Sequence, residues 1–260
     1  LSPSTYTATH IGENFNITVN IKNVTKDMKL IGAQWKLKFN STILNVTSAT
    51  EGDFLKSAAQ QAGTGYGTYF YWIKEDEHIL SFTLYYKEPW PPEAFPEGEG
   101  ALATLTFNST DRPIEPKPKA SCILETTETM LLNIDGVEIT HHSENGYYEI
   151  MPLSLPSIVV KTYPYLATHE GEVFDVKVNI EVLDSDWRLV GLDFRLRFNA
   201  TLLKALNVTE GSFLKSFAQT AGTDTLFATY VEENSCIVGI IILPLSNGTW
   251  PLTQFPEGKG

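Results

Sequence analysis

The stretch "LIGAQWKLKFNSTILNVTSATEGDFLKSAAQQAGT" (30–64) aligns without a gap on "LVGLDFRLRFNATLLKALNVTEGSFLKSFAQTAGT" (189–223), an offset of 159 residues. "FNITVNI" (15–21) matches "FDVKVNI" (174–180) at the same offset, and "FPEG" recurs at 95–98 and 255–258, one residue further on. Self-similarity over this length marks a duplicated domain. Inside each copy the apolar period is two, which puts alternate side chains on opposite faces of a strand. Phe15, Ile17, Val19 and Ile21 face one way; Asn16, Thr18 and Asn20 face the other. Ala33, Trp35, Leu37 and Phe39 alternate with Gln34, Lys36 and Lys38. The second copy keeps the alternation as Leu192, Phe194, Leu196 and Phe198 against Asp193, Arg195 and Arg197.

Working outward, further strands read as "TYFYWI" (68–73) and "HILSFTLYY" (78–86), joined by the polar turn "KEDE". Then come "ALATLTFN" (101–108), "ASCILET" (120–126) and "GYYEI" (146–150). Strands at this spacing, punctuated by Gly, Pro and Asn, predict an all-β chain of two tandem jelly-roll or β-sandwich domains. Only "GDFLKSAAQQAG" and its counterpart read as helical, for one or two turns. "MPLSLPS" (151–157), with two prolines, reads as a short semi-rigid connector, placing the domains at 1–152 and 153–260. The first copy continues past "FPEGEG" (95–100) through three more strands, whereas the second is given only as far as "FPEGKG" (255–260). The expectation is a complete first sandwich and a second one incomplete at its C-terminal end. The strand carrying Leu192–Phe198 would then lack apolar neighbours. Further chain, or strands from a neighbouring molecule, would complete it, since an open edge is a template for pairing.

The 260 residues are 42% hydrophobic and 19% charged, enough apolar material for ordinary cores. The net charge of −12 argues against nucleic acid and against an anionic membrane surface, both of which would repel it. The longest apolar run, "CIVGIIILPL" (236–245), is too short to span a bilayer core that needs about 20 residues. No charged-then-apolar leader opens "LSPSTYTATH", so an exported form would be mature or trimmed. Eight positions fit Asn-x-Ser/Thr: Asn16, Asn23, Asn40, Asn45, Asn108, Asn199, Asn207 and Asn247. Chance would give about two from this composition. Turn chemistry explains asparagines but not their spacing, so the excess predicts N-linked glycans and an extracellular, cell-surface location. Asn40 and Asn199, at one turn of both copies, are expected to be the most completely modified.

The run "GAQWKLKFNSTILNV" followed by "EGDFL", with the later "GALATLTF" and "NIDGVEIT…NGYYEI", resembles the cohesin-like domains. The likeness covers about residues 5–150, and the second copy from about 160. The dense sequons resemble those of archaeal surface proteins. The resemblance implies a nine-strand jelly roll that is not an enzyme. It would bind dockerin modules through one sheet or serve as a surface-protein building block. It also implies that the binding sheet includes the outward Lys36 and Lys38, and Arg195 and Arg197 in the second copy. The family's turn Asp stands here as Asn40 and Asn199, where a glycan would crowd one end of that sheet.

His10 and His169, in "ATHIGE" and "ATHEGE", read as turn residues. The pair His141-His142 lacks Cys or Asp at ligand spacing, so no metal site is expected there. No Gly-x-Ser-x-Gly motif marks a nucleophile, and no cofactor is called for. The acidic loops "KEDE" (74–77) and "DSD" (184–186) read as solvated turns that could hold a structural Ca²⁺. Trp35 and Phe194 read as core. Tyr69 and Tyr71 lie on a strand with aromatics on both faces, and one set needs a partner or a covering loop, such as those carrying Trp90 and Trp250. Lys36, Lys38, Arg195 and Arg197 read either as locally paired or as a docking stripe. Cys122 and Cys236 are not equivalent under the repeat, so neither copy closes its own bridge; unpaired thiols, one bridge between domains or bridges between chains remain. The sequence thus predicts a non-enzymatic, glycosylated surface-layer or filament subunit whose partners are its own copies or another surface protein. The alternative is a receptor for a dockerin-like partner or carbohydrate.

Overall fold

The computed structural model describes residues 1–62, 67–87, 92, 94–161, 164–243 and 252–260. The chain divides into two units, Leu1–Pro152 and Leu153–Gly260. Trp90, Asn247 and Trp250 lie outside the described residues.

Among the described residues the first unit holds nine strands. They are β1 (Thr5–Ala8), β2 (Asn14–Val24), β3 (Leu30–Lys38), β4 (Leu44–Glu51), β5 (Thr68–Lys74), β6 (Ile79–Tyr86), β7 (Gly98–Ser109), β8 (Ala120–Asn133) and β9 (Gly146–Ile150). One sheet has the order β1-β9-β8-β3-β6-β5, the other β2-β7-β4. β1 runs parallel to β9; the other pairs are antiparallel. The alternation read from sequence sets the inside: Phe15, Ile17, Val19 and Ile21 from the small sheet meet Trp35, Leu37, Leu80, Phe82 and Tyr148 from the large one. Such sandwiching of two apolar faces is the main stabilising term, each fully buried aliphatic or aromatic side chain contributing about 1.5–3 kcal/mol.

The helix α1 (Asp53–Gln61) is longer than the one or two turns expected from sequence. It buries Leu55 and Ala59, one turn apart on a single face. Its N-cap Gly52 lies so close to β7 that a Cβ there would stand 2.3 Å from the Ala101 carbonyl oxygen. β8 also extends beyond the expected 120–126. Residues 120–124 pair with β9 and 125–133 with β3, and the pairing with β3 is interrupted by a bulge at which Glu128 takes φ 45°. That bulge breaks the period of two that reveals a strand in sequence.

The second unit repeats part of this plan. It contains β10 (Ser157–Lys161), β11 (Lys177–Glu181), β12 (Gly191–Arg197), α2 (Ser212–Thr220), β13 (Asp224–Val231) and β14 (Ser235–Leu243). β10 pairs with β11, and a second sheet has the order β12-β14-β13. Leu183 pairs with Gly258 as Val24 pairs with Gly98 in the first unit. The alternation of β12 is kept, but Leu192, Phe194 and Leu196 are half-buried where Ala33, Trp35 and Leu37 are buried. Leu203 is 42% exposed where Leu44 is fully buried. The "NATLLKALNV" stretch does not form the strand its counterpart β4 forms. In the first unit β4 is held by pairing with β7, and 203–210 has no such partner among the described residues.

Candidate partner-binding face

The outward side of the large sheet carries Lys36, Lys38, Tyr69 and Tyr71, while Arg195 and Arg197 lie on β12 of the second unit. Register places Tyr69, Tyr85 and Gly32 in one row, Tyr71, Thr83 and Gln34 in the next, then Ile73, Ser81 and Lys36. Among the described residues β5 is the edge strand, and the side chains on its outer face are exposed. Tyr69, Tyr71 and Tyr85 are 40%, 53% and 39% exposed. The Tyr69 and Tyr71 rings stack with centroids 6.1 Å apart, and Tyr85 lies 5.2 Å from Tyr69. The ammonium of Lys87 sits 4.5 Å over the Tyr69 ring. Three tyrosines on a rigid sheet form an amphipathic surface, apolar in its rings and hydrogen-bonding at its hydroxyls, of the kind enriched at interfaces. On the inner side of the same strand Phe70 packs toward Phe82, with ring centroids 6.4 Å apart.

The basic residues divide into two kinds. The Lys36 ammonium pairs with Glu75 at 3.2 Å and Glu128 at 2.8 Å, and these hydrogen bonds hold its pKa above the ordinary lysine value. Glu75 in turn accepts from the Ser81 hydroxyl, which, with Lys36, pulls its carboxyl below the usual range. In the second unit Arg195 stands 3.9 Å from Glu232, which accepts from the Ser235 hydroxyl at 2.5 Å. Local pairing therefore describes Lys36 and Arg195. Lys38 on this face and Arg197 on β12 of the second unit have no ion-pair partner among the described residues. Sequence reasoning missed the acidic partners because they come from the β5–β6 hairpin and from the β8 bulge.

The other candidates have structural roles. Trp35 is 3% exposed and stacked on Phe82 at 5.0 Å. His141 bonds the Ile139 carbonyl at 2.7 Å and the Thr129 hydroxyl at 2.8 Å. The acidic turns are locally satisfied: Asp76 accepts from the His78 amide at 2.7 Å, and Asp184 from the Asp186 amide at 3.0 Å. Cys122 and Cys236 are free thiols, both pushed above the ordinary thiol range by burial. One device was not foreseen. Glu13 accepts from the Tyr6 hydroxyl, from the Thr9 amide at 2.8 Å and from the His10 amide at 3.2 Å. Glu172 repeats it with Tyr165 and with the Thr168 amide at 2.7 Å. The repeated "ATHxGE" carried that signal, in its Glu rather than its His.

Of the predicted glycosylation sites, Asn16, Asn23, Asn45, Asn199 and Asn207 are exposed, and Asn40 and Asn108 are half-buried. Asn40 and Asn199 make the same turn: each side-chain oxygen accepts from the amide and hydroxyl of the following Thr42 or Thr201, at 3.0 and 2.7 Å.

The family model of the cohesin domain matches residues 2–111, inside the first unit, whose fold is cohesin-like. Similar solved structures include a non-cellulosomal cohesin from the hyperthermophilic archaeon Archaeoglobus fulgidus. It is 18% identical, with 56% of this chain and 86% of that chain covered and a TM-score of 0.40. The OlpC type I cohesin–dockerin complex from Clostridium thermocellum is 17% identical, covers 58% of this chain and 90% of that one, and gives a TM-score of 0.46. The seventh ScaB type I cohesin from Pseudobacteroides cellulosolvens is 18% identical, with 64% and 94% covered and a TM-score of 0.44. No curated protein matches the chain. Among the described residues no helix is long and apolar enough to cross a membrane.

Proposed function

We propose that the protein is a non-enzymatic, extracellular building block of a cell surface, glycosylated at its sequons and acting through protein–protein contacts. The observation that carries this reading is the open outer face of β5 and β6, where Tyr69, Tyr71 and Tyr85 form a solvent-exposed aromatic patch on a rigid sheet. A patch of this kind marks an interaction surface. The net charge of −12 argues against nucleic acid, and Lys38 on this face, without an ion-pair partner among the described residues, offers local positive charge to an acidic group. In the surface-layer or filament reading the partners are copies of the chain or another surface protein. The match of residues 2–111 to the cohesin domain favours a second reading, a receptor for a dockerin-like partner.

Sedimentation of the purified chain over a range of concentrations tests the first reading. Self-association that Tyr69→Ala/Tyr71→Ala abolishes supports it. A strict monomer that binds a dockerin helix pair through the same tyrosines replaces it with the receptor reading. A monomer whose tyrosine pair affects neither assay removes this face as a docking site.

A further inference from the structure

The two sheets of the first unit differ in where their sequons fall. On β2, β7 and β4 the register sets Asn14 opposite Asn108, Asn108 opposite Asn45, and Asn16 opposite Thr106. The sequon asparagines Asn16, Asn45 and Asn108 thus share the outer face of the small sheet. Asn16 and Asn45 occupy its two outer strands and Asn108 its central one. On the large sheet the outward positions of β3, β5 and β6 are Gln34, Lys36, Lys38, Tyr69, Tyr71, Ile73, Ser81, Thr83 and Tyr85, and none is a sequon asparagine.

The three asparagines are not equivalent as acceptors. Asn16 is exposed and uses its side-chain oxygen to accept from the Thr106 hydroxyl at 3.0 Å, while its side-chain nitrogen makes no hydrogen bond among the described residues. Asn45 is exposed and makes no side-chain hydrogen bond among the described residues. Asn108 is half-buried, and its nitrogen donates both to the Gly12 carbonyl and to the Asn14 side-chain oxygen, each at 2.9 Å. Modification forms a bond from that nitrogen to the anomeric carbon of an activated oligosaccharyl phosphate donor. The phosphate leaves with the bonding electron pair, and one amide proton is lost. A nitrogen with both hydrogens committed to fixed acceptors resists that reaction.

We propose that the outer face of the β2-β7-β4 sheet is a glycan shield, carried by Asn16 and Asn45 and bare at Asn108. Outer strands present unpaired backbone groups that invite pairing with another chain, on β2 away from Thr18, which pairs with Ser2, and bulky hydrated groups on both outer strands block that approach. The unshielded aromatic edge at β5 is thereby left as the side on which contacts form. The inference rests on the proposal that the sequons are glycosylated, and it goes further by assigning occupancy site by site.

Glycopeptide mapping of the protein purified from its own cells tests it. Glycan is expected on Asn16 and Asn45 and absent from Asn108. Asn16→Gln and Asn45→Gln should each remove one glycan's mass, Asn108→Gln none, and Asn14→Ala, which frees one hydrogen of Asn108, should bring glycan onto Asn108. Nitration of Tyr69 and Tyr71 should proceed equally before and after enzymatic deglycosylation. Glycan on Asn108 in the unmutated protein, or bare Asn16 or Asn45 beside modified Asn40 or Asn199, overturns the shield and leaves glycosylation standing. A chain without glycan at any sequon overturns both.

Discussion

Trp35→Ala is the perturbation that best tests how the first sandwich is held together. The indole is 3% exposed, stacks on Phe82 and belongs to the continuous core of the first unit. A buried aromatic of this size hides roughly 200 Å², worth about 5 kcal/mol at about 25 cal/mol/Å². Partial collapse of the cavity brings the expected loss to about 3–5 kcal/mol. The indole N–H has no hydrogen-bond partner among the described residues, so Trp35→Phe removes an unsatisfied donor while keeping a ring on Phe82. Its cost should stay below about 1.5 kcal/mol. Phe194→Ala, at the equivalent half-buried position, should cost about half as much as Trp35→Ala. Hydrogen exchange resolved to β3 and β12 reports each unit separately, which a single melting curve of a two-unit chain does not. Equal losses for Trp35→Ala and Phe194→Ala would show that burial is not what distinguishes the two strands. A Trp35→Phe cost close to that of Trp35→Ala would show that the indole N–H is satisfied after all.

Tyr148→Phe removes the partner of the buried Ser109 hydroxyl, 2.7 Å away; stability should fall by about 1–3 kcal/mol in urea unfolding, and Ser109→Ala in the same background should recover part of it. Gly52→Ala drives a methyl group into the Ala101 carbonyl. It should unfold the start of β7, seen as faster exchange of the Leu102 and Ala103 amides, whereas Gly12→Ala meets open space and is limited to the cost of its positive φ. Burial pushes the Glu13 carboxyl up, but hydrogen bonds from Tyr6, Thr9 and His10 outweigh it and bring the group below its ordinary 4.5. The clamp therefore stabilises above 4.5 and is lost as the pH falls through the lowered value; Glu13→Gln should flatten that acid limb of the stability curve. Burial first, and then the Glu13 hydrogen bond, push Tyr6 from 10.0 up to about 12, so the same unit should lose stability as the pH rises from 10.0 toward that value; Tyr6→Phe should remove its share of the loss and leave that of Tyr86, which burial also pushes up to about 12.

The strands were legible because each half-buried strand writes its own alternation: Phe15 to Ile21 and Ala33 to Phe39 face the core as their spacing says. What joins them was not legible. Nothing local tells β3 that it lies between β8 and β6, or β1 that it runs parallel to β9, because pairing partners are chosen by faces that meet far apart in sequence. β8 was underestimated for a local reason, the bulge at Glu128. On the candidate face the outward direction of Lys36 and Lys38 could be read, but not that the first is neutralised and the second is not. That difference depends on Glu75 and Glu128, which arrive from two other strands.

The duplication supplies an internal comparison that separates scaffold from surface. Hydrogen bonds that fix loops and edges recur in both copies: the Glu13 and Glu172 clamps, the Asn40 and Asn199 turns, and the pairing of Val24 with Gly98 and Leu183 with Gly258. Thr68 donates to Glu51 as Thr225 donates to Glu210. The ion pair of Lys36 with Glu75 recurs as Arg195 with Glu232. The outward row at the sheet edge does not recur. By register, Tyr69, Tyr71 and Tyr85 correspond to Leu226, Ala228 and Ile241. Aliphatic side chains keep an apolar patch but lose the phenol hydroxyls and ring faces that recognise polar groups and cations. Two copies that keep the same fixings and present different outer chemistry fit the proposed reading of one framework with two different outer faces. Exchanging the three side chains between copies should therefore move a binding preference while leaving each fold intact, and loss of folding on exchange would show that the tyrosines serve the scaffold instead.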